Sequence, residues 1–199
     1  MGSAYNGALT REQFLFYEIR IVAKLIGDGL SRKEILEAIQ VNNLFQFPTE
    51  KMVANITRTC FQRIDALDSP ALVVCLAQAP MEDAKQVNLY AMMKYNRLVR
   101  DFMTTVVGEK YRTQDLEVTA RDVNVFLQRL REQNDLVASW SETTIRKIRQ
   151  VLVRILVECG YLDSYRSEKL NDIGIVPELE AAIKESGDLS ALPAFNCFI

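Results

Sequence analysis

Histidine is absent from all 199 residues. Its absence removes histidine-centred nucleophilic triads, imidazole ligands for zinc and the most common general base. There are four cysteines, Cys60, Cys75, Cys159 and Cys197, with no C-x-x-C pair and no ligand-like spacing. The first three fall in apolar helical runs and are expected as buried thiols in a reducing compartment. Glycine and proline number only 8 and 5, which suits long helices joined by short connections. Long hydrophobic runs are lacking as well. The most apolar, residues 71–77 and 151–157, fall far short of a membrane span, and Arg154 interrupts the second. The N-terminal MGSAYNGALTREQ has no apolar leader core. These absences predict a cytoplasmic protein with no metal, no cofactor and no membrane segment.

Catalytic signatures are equally scarce. There is no phosphate-cradling glycine loop, no nucleophile elbow and no H-E-x-x-H pattern. Glu34 and Glu37 share a helix face in the manner of a solvated surface. Glu82 and Asp83 sit where a helix dipole favours negative charge. The chain is therefore expected to be neither an enzyme nor a small-molecule binder.

What is present is an ordinary folded composition, 49% hydrophobic and 25% charged. The length suits one helical domain over 1–199, or two lobes: a helical bundle at 1–108 and a helix-turn-helix-like part with an acidic tail at 109–199. The net charge of −2 conceals a gradient. Residues 84–154 carry 13 Lys/Arg against 8 Asp/Glu, and residues 155–199 carry 3 against 8. A polyanion contact is expected in the first three quarters, with the acidic tail turned away.

Helix signals follow one another along the chain. Thr10-Arg11-Glu12-Gln13 is a capping-box pattern opening a first helix, with Phe14, Tyr17, Ile21 and Leu25 as its buried stripe. Ser31 with Glu34 opens a second, and Thr49 caps a third running to about Ala66. Ser69-Pro70 starts a fourth, apolar almost all round and so expected as the central buried helix. A long helix is predicted from Met81 to Val107, ended by Gly108. Thr119 to Asp122 opens another, burying Val123, Phe126, Leu127 and Leu130. Tyr161–Tyr165 and Asp172–Val176 flank a polar turn and predict one short β-hairpin. Pro177 starts a last helix through Glu185, and the apolar tail from Leu192 has no clear element. The fold class is thus all-α, a multi-helix bundle with that single hairpin.

The segment 139–162, SWSETTIRKIRQVLVRILVECGYL, carries the functional signal. Ser141 caps it, Ile145, Ile148, Leu152, Ile155 and Leu156 make its apolar stripe, and Gly160 is placed to stop it. Arg146, Lys147, Gln150 and Arg154 fall on the opposite side, with Arg149 on the flank. The order of helix, link through Trp140, basic helix and hairpin resembles a winged helix-turn-helix, whose second helix enters the major groove. Arg146, Lys147 and Arg149 would meet phosphates or guanine edges, and Gln150 is of the type that pairs with adenine. A solvated face of a core helix explains the same residues, and the sequence leaves both readings open. Trp140 is either a packed staple or a stacking platform. Arg20 with Lys24, and Lys94 with Arg97 and Arg100, form a second candidate basic patch. The apolar tail and acidic last quarter also suit a protein partner.

Several stretches carry a family resemblance: Tyr5-Asn6-Gly7-Ala8-Leu9-Thr10-Arg11 with Glu18, Asn43-Leu44-Phe45-Gln46, Trp140-Ser141-Glu142-Thr143-Thr144, and Glu158-Cys159-Gly160-Tyr161-Leu162. They resemble the BrxA family, the small component of BREX bacteriophage-exclusion systems, over nearly the whole chain. The resemblance implies a small all-helical fold similar to the antitermination factor NusB. It also implies a non-enzymatic role in phage defence, with double-stranded DNA as ligand and other BREX components as partners. It supplies no residue-by-residue motif, so the site residues named above rest on charge alone. RNA binding by analogy with NusB is the further alternative.

Overall fold

The computed structural model describes residues 4–198, and among them the chain is a bundle of α-helices with a single isolated β-bridge. A short 3-10 turn, Gly7–Thr10, precedes α1 (Phe16–Gly27), α2 (Arg32–Val41), α3 (Glu50–Leu67), α4 (Pro70–Gln78) and α5 (Met81–Tyr95). Then come α6 (Arg97–Phe102), a π-helical turn (Met103–Val107), α7 (Gly108–Thr113), α8 (Ala120–Gln133), α9 (Asp135–Ala138), α10 (Glu142–Glu158) and α11 (Pro177–Glu185). A 3-10 segment, Leu189–Phe195, closes the order.

Local chemistry starts most helices where the side chains dictate. Ser31 and Glu34 form a reciprocal capping box at α2, as do Thr119 and Asp122 at α8. Thr49, Ser69 and Ser141 each accept from a main-chain N–H one turn into their helix. Gly160 ends α10 with φ +76°, a conformation open to glycine at no steric cost.

The first helix departs from its expected start. Thr10 belongs to the 3-10 turn, where its hydroxyl donates to the Gly7 carbonyl at 2.9 Å. Helix α1 begins only at Phe16, after Leu15 takes a left-handed φ of +53°. The cause is Arg63 of α3, fully buried, whose guanidinium donates to the carbonyls of Glu12, Gln13 and Phe14. Those carbonyls are therefore engaged by a side chain, and residues 12–15 stay outside the helix. The buried stripe shifts to Phe16, Ile19, Val22 and Ala23, and Tyr17 stands 67% exposed.

The central helix is α5, not α4. Ala84, Val87, Leu89, Tyr90, Ala91, Met92 and Met93 are all buried, and the one polar residue among them, Asn88, donates to the Phe14 carbonyl. On α4 the apolar run leaves Val74 52% exposed. Helix α1 packs on α3 and α4, and α5 packs across α3 and α4.

The long helix predicted over 81–107 breaks at Asn96, whose side chain accepts from Leu98 N and Val99 N and starts α6. The helical run then passes straight through Gly108 instead of stopping. At that glycine an added Cβ would lie 2.9 Å from the Pro193 side chain and 3.1 Å from its carbonyl carbon. Glycine here allows the closing 3-10 segment to lie against the helix. That segment buries Ala191, Leu192, Ala194 and Phe195, so the apolar tail is largely core. Asp188 ties its start down by accepting from Arg100, at both guanidinium nitrogens, and from the Tyr90 hydroxyl.

No β-hairpin forms across 161–176. The second would-be strand gives its main chain to Gln86 of α5, whose amide donates to Gly174 O at 2.9 Å and accepts from Val176 N at 3.0 Å. The first continues the end of α10, with Tyr161 N and Leu162 N both donating to Leu156 O. The intervening loop pairs elsewhere: Val118 N donates to Glu168 O and Leu170 N to Leu116 O, which makes the bridge between Glu117 and Lys169.

Candidate functional site

The basic helix α10 buries Ile148, Val151, Leu152, Ile155 and Leu156. With that face fixed inward, Lys147, Gln150, Val151 and Arg154, spaced i, i+3, i+4 and i+7, point along one edge. They line a groove of about 670 Å³ with Arg149, Val153, Thr10, Gln13, Ala120, Val123 and Tyr165. Three parts of the chain supply its walls: the N-terminal turn, the start of α8 and the loop after α10.

Each wall is held in place. The 3-10 turn packs on α10, with the Cβ position of Gly7 3.6 Å from the Thr144 methyl. Its lead-in is anchored by Tyr5, whose hydroxyl donates to Asp101 at 2.5 Å and whose ring lies 4.5 Å beneath the Arg97 guanidinium. Burial, aided by the Asp101 carboxylate, pushes the Tyr5 phenol up to about 12. The loop wall is a hydrogen-bonded β-turn, Ser167 N to Ser164 O at 3.1 Å, with Tyr165 and Arg166 at its central positions. Asn171 fastens this loop by donating to Gly160 O and to the Asp163 carboxylate, both at 2.9 Å.

Within the groove the cations differ in their engagement. Arg154 donates to the Gln13 side chain and stands 3.8 Å from Glu158. Burial raises the Glu158 carboxyl, and the neighbouring Arg154 only partly offsets it. Arg149 is half-buried and donates to Asn124 Oδ1 of α8 at 3.0 Å. Lys147 is exposed and has no ion-pair partner among the described residues. Arg146 is likewise exposed but does not line the groove. So four of the five α10 side chains singled out by sequence share one concave surface.

The second candidate patch resolves differently. Arg20 donates to the Ala79 carbonyl at 2.7 Å, at the end of α4. Arg97 covers Tyr5 and approaches Asp101 at 3.4 Å. Arg100 is held by Asp188, and Lys94 lies over the Tyr90 ring at 5.7 Å. Lys24 is exposed. None of the five lines the α10 groove. A larger cleft of about 730 Å³ lies between the α6–α7 run and α8. Its Arg97 and Lys110 pair with Asp101, Asp115 and Asp122, while Arg121 and Arg129 have no ion-pair partner among the described residues, so cations and carboxylates share this cleft.

Other candidate chemistry is muted. Cys60, Cys75 and Cys159 are buried free thiols, and burial pushes Cys60 up to about 12 and Cys159 well above its usual value. Such thiols pack and do not attack. Trp140 is half-buried and packed against the core at the entry to α10. Among the described residues no group of three or more Cys, Asp or Glu is placed to hold a metal, and no helix is long and apolar enough to cross a membrane. Sequence reasoning missed Thr10, Gln13 and Tyr165. The sequence pattern puts Tyr165 at the end of a strand, and its place in a turn follows only from the structure.

The BrxA family model matches residues 3–187. The chain is 31% identical over 182 residues to the BREX protein BrxA of Bacillus cereus (strain H3081.97), covering 89% of this chain and 90% of that protein. It is 25% identical to the BREX protein BrxA of Escherichia coli O9:H4 (strain HS), over 92% and 86% of the two chains. An uncharacterized protein from Magnetospirillum magneticum, solved by crystallography, superposes with a TM-score of 0.81 at 22% identity over 97% of this chain and 98% of its own, sharing the fold. By family model and by curated relatives alike, this chain belongs to the BrxA family.

Proposed function

We propose that this protein is a non-enzymatic accessory component of a BREX phage-exclusion system that binds duplex DNA, mainly through phosphates, along the α10 groove. The BREX role follows the names of its relatives. The observation that carries the DNA reading is the groove itself, where Lys147, Arg149 and Arg154 converge with no carboxylate among its lining residues. Arg146 extends the same helix surface, and Gln150 supplies an amide that pairs with adenine N6 and N7. The chain order of α8, α9 and α10, followed by an anchored loop, supports a helix-turn-helix reading of this part. The second basic patch is not part of the proposal: none of its side chains lines the groove, and Arg97 and Arg100 are ion-paired with Asp101 and Asp188.

Two further readings weaken or change. The adaptor reading loses much of its motive in the tail, because Leu192 and Phe195 are buried and, among the described residues there, only Phe198 is exposed. Other BREX components remain the proposed protein partners. No single feature of the groove favours RNA.

The test is an anisotropy titration of a labelled duplex at several salt concentrations. With about four phosphate contacts, log affinity should fall by roughly 3.6 per log unit of salt. The triple variant Arg146→Ala, Lys147→Ala, Arg149→Ala should bind weakly and cut that slope to about one. A folded triple variant with parental affinity and slope would sink the assignment.

A further inference from the structure

A convex row of cations suffices to hold a phosphate backbone, yet this row borders a hollow with an apolar floor. Val123 and Val151 are buried at its base, and Val153 and Ala120 complete the apolar lining. Its volume of about 670 Å³ lies within the range of pockets that enclose a small ligand. An apolar hollow with cations at its rim matches a nucleotide: the base face takes the floor and the phosphate takes the rim.

Tyr165 supplies the remaining element. It is 61% exposed at a central position of the Ser164–Ser167 turn, and its hydroxyl has no hydrogen-bond partner among the described residues. The turn is pinned through Asn171, and the loop beyond it through the bridge to Glu117, so the ring is presented by an ordered support. An exposed aromatic carried on an anchored turn beside cations is the arrangement on which unpaired bases stack. Gln150, across the hollow, offers an amide donor and acceptor to a base edge.

We infer that the α10 groove takes an unpaired nucleotide, and that the protein therefore prefers DNA containing an unstacked or extruded base over perfect duplex. The inference rests on the proposed DNA-binding role and specifies its ligand. A paired base must first be unstacked at a cost of a few kcal/mol, whereas a bulged one is already released. The preference is thus largest for a bulge.

The experiment compares a labelled perfect duplex with the same duplex carrying one unpaired adenine, read by anisotropy. The full-length protein should bind the bulged probe about tenfold more tightly. Tyr165→Ala should bring that ratio close to one, Tyr165→Phe should keep it, and Ala120→Leu, which fills the hollow without removing a cation, should abolish it. Circular dichroism verifies that each variant is folded. A bulge containing 2-aminopurine should lose fluorescence on binding the parent but not Tyr165→Ala. Equal affinity of the parent for both probes, or a ratio retained by both Tyr165→Ala and Ala120→Leu, would overturn the groove assignment alone. Failure of the parent to bind either probe would overturn the DNA-binding role on which it rests.

Discussion

Replacing Arg63 by methionine should destabilise the protein by about 3 kcal/mol. Methionine keeps much of the volume and removes the charge, so the change isolates the hydrogen bonds. In the parent the guanidinium serves three carbonyls: Phe14 at 3.0 Å, Gln13 at 2.8 Å, and Glu12. Each charge-assisted bond contributes about 1.5–3 kcal/mol. Against them stands the cost of burying the ion, several kcal/mol, and burial accordingly pushes the guanidinium below its usual value. The Nε of Arg63 and Oε2 of Glu12 are buried without hydrogen-bond partners, so the site is incompletely compensated. Methionine removes the ionic cost together with the bonds. What remains is orphaned acceptors, at about 1–3 kcal/mol each. Phe14 O keeps its bond from Asn88 at 2.8 Å, which leaves the Glu12 and Gln13 carbonyls unpaired. Urea denaturation followed by circular dichroism measures the difference, and the melting temperature should fall by about 6–12 °C. Trypsin should also cut faster after the exposed Arg11, because the segment beyond it loses its clamp. A stability within about 0.5 kcal/mol of the parent would refute the claim that Arg63 sets the start of α1.

Two further outcomes test the closing segment. Burial raises Asp188, but the Arg100 and Tyr90 hydrogen bonds and the Arg100 charge outweigh it and hold the carboxyl below its usual value. A depressed folded value adds stability above the unfolded value of about 3.9, and that stability is lost as pH falls through the folded one. Asp188→Asn should therefore cost about 1–2 kcal/mol at neutral pH, and its melting curve should converge on the parent's as the pH drops below about 4. A deficit that persisted undiminished there would contradict the charge-based account. Gly108→Ala forces a Cβ against Pro193 at 2.9 Å, so it should lower stability by about 1–2 kcal/mol despite alanine's better helix propensity. A thermal melt that rises on substitution would show that the tail yields freely.

What could be foreseen from the sequence divides by the distance over which the cause acts. The starts of α2, α3, α4, α8 and α10 depend on a hydroxyl or carboxylate within three residues. The helical period placed Ile148, Leu152, Ile155 and Leu156 of the α10 stripe, but it missed the buried Val151 and included the half-buried Ile145. The non-helical stretch before α1 depends on Arg63, 49 to 51 positions away. The missing hairpin depends on Gln86, 88 to 90 positions away. Gly108 looked like a stop because the sequence does not reveal that Pro193 would press against it. The candidate site shows the same division. Its α10 wall follows from periodicity, whereas Thr10, Gln13 and Tyr165 reach it only through tertiary packing.

The contact between Gln13 and Arg154 spans 141 positions, and it bears on the order in which the protein takes shape. Contacts of such separation carry a large loop-closure cost and form late, after local helices and neighbouring pairs. Helices α1 to α5 can assemble before α10 has left the ribosome, but the groove cannot, since its walls come from residues 10–13, 120–123, 147–154 and 165. Fraying of residues 4–15 would open the groove while α10 stays folded and its cations stay in place. The groove thus registers whether the N-terminal turn has docked on α10, and amide exchange at Arg11 and Glu12, which both donate to Ala8 O, should report its opening separately from global unfolding.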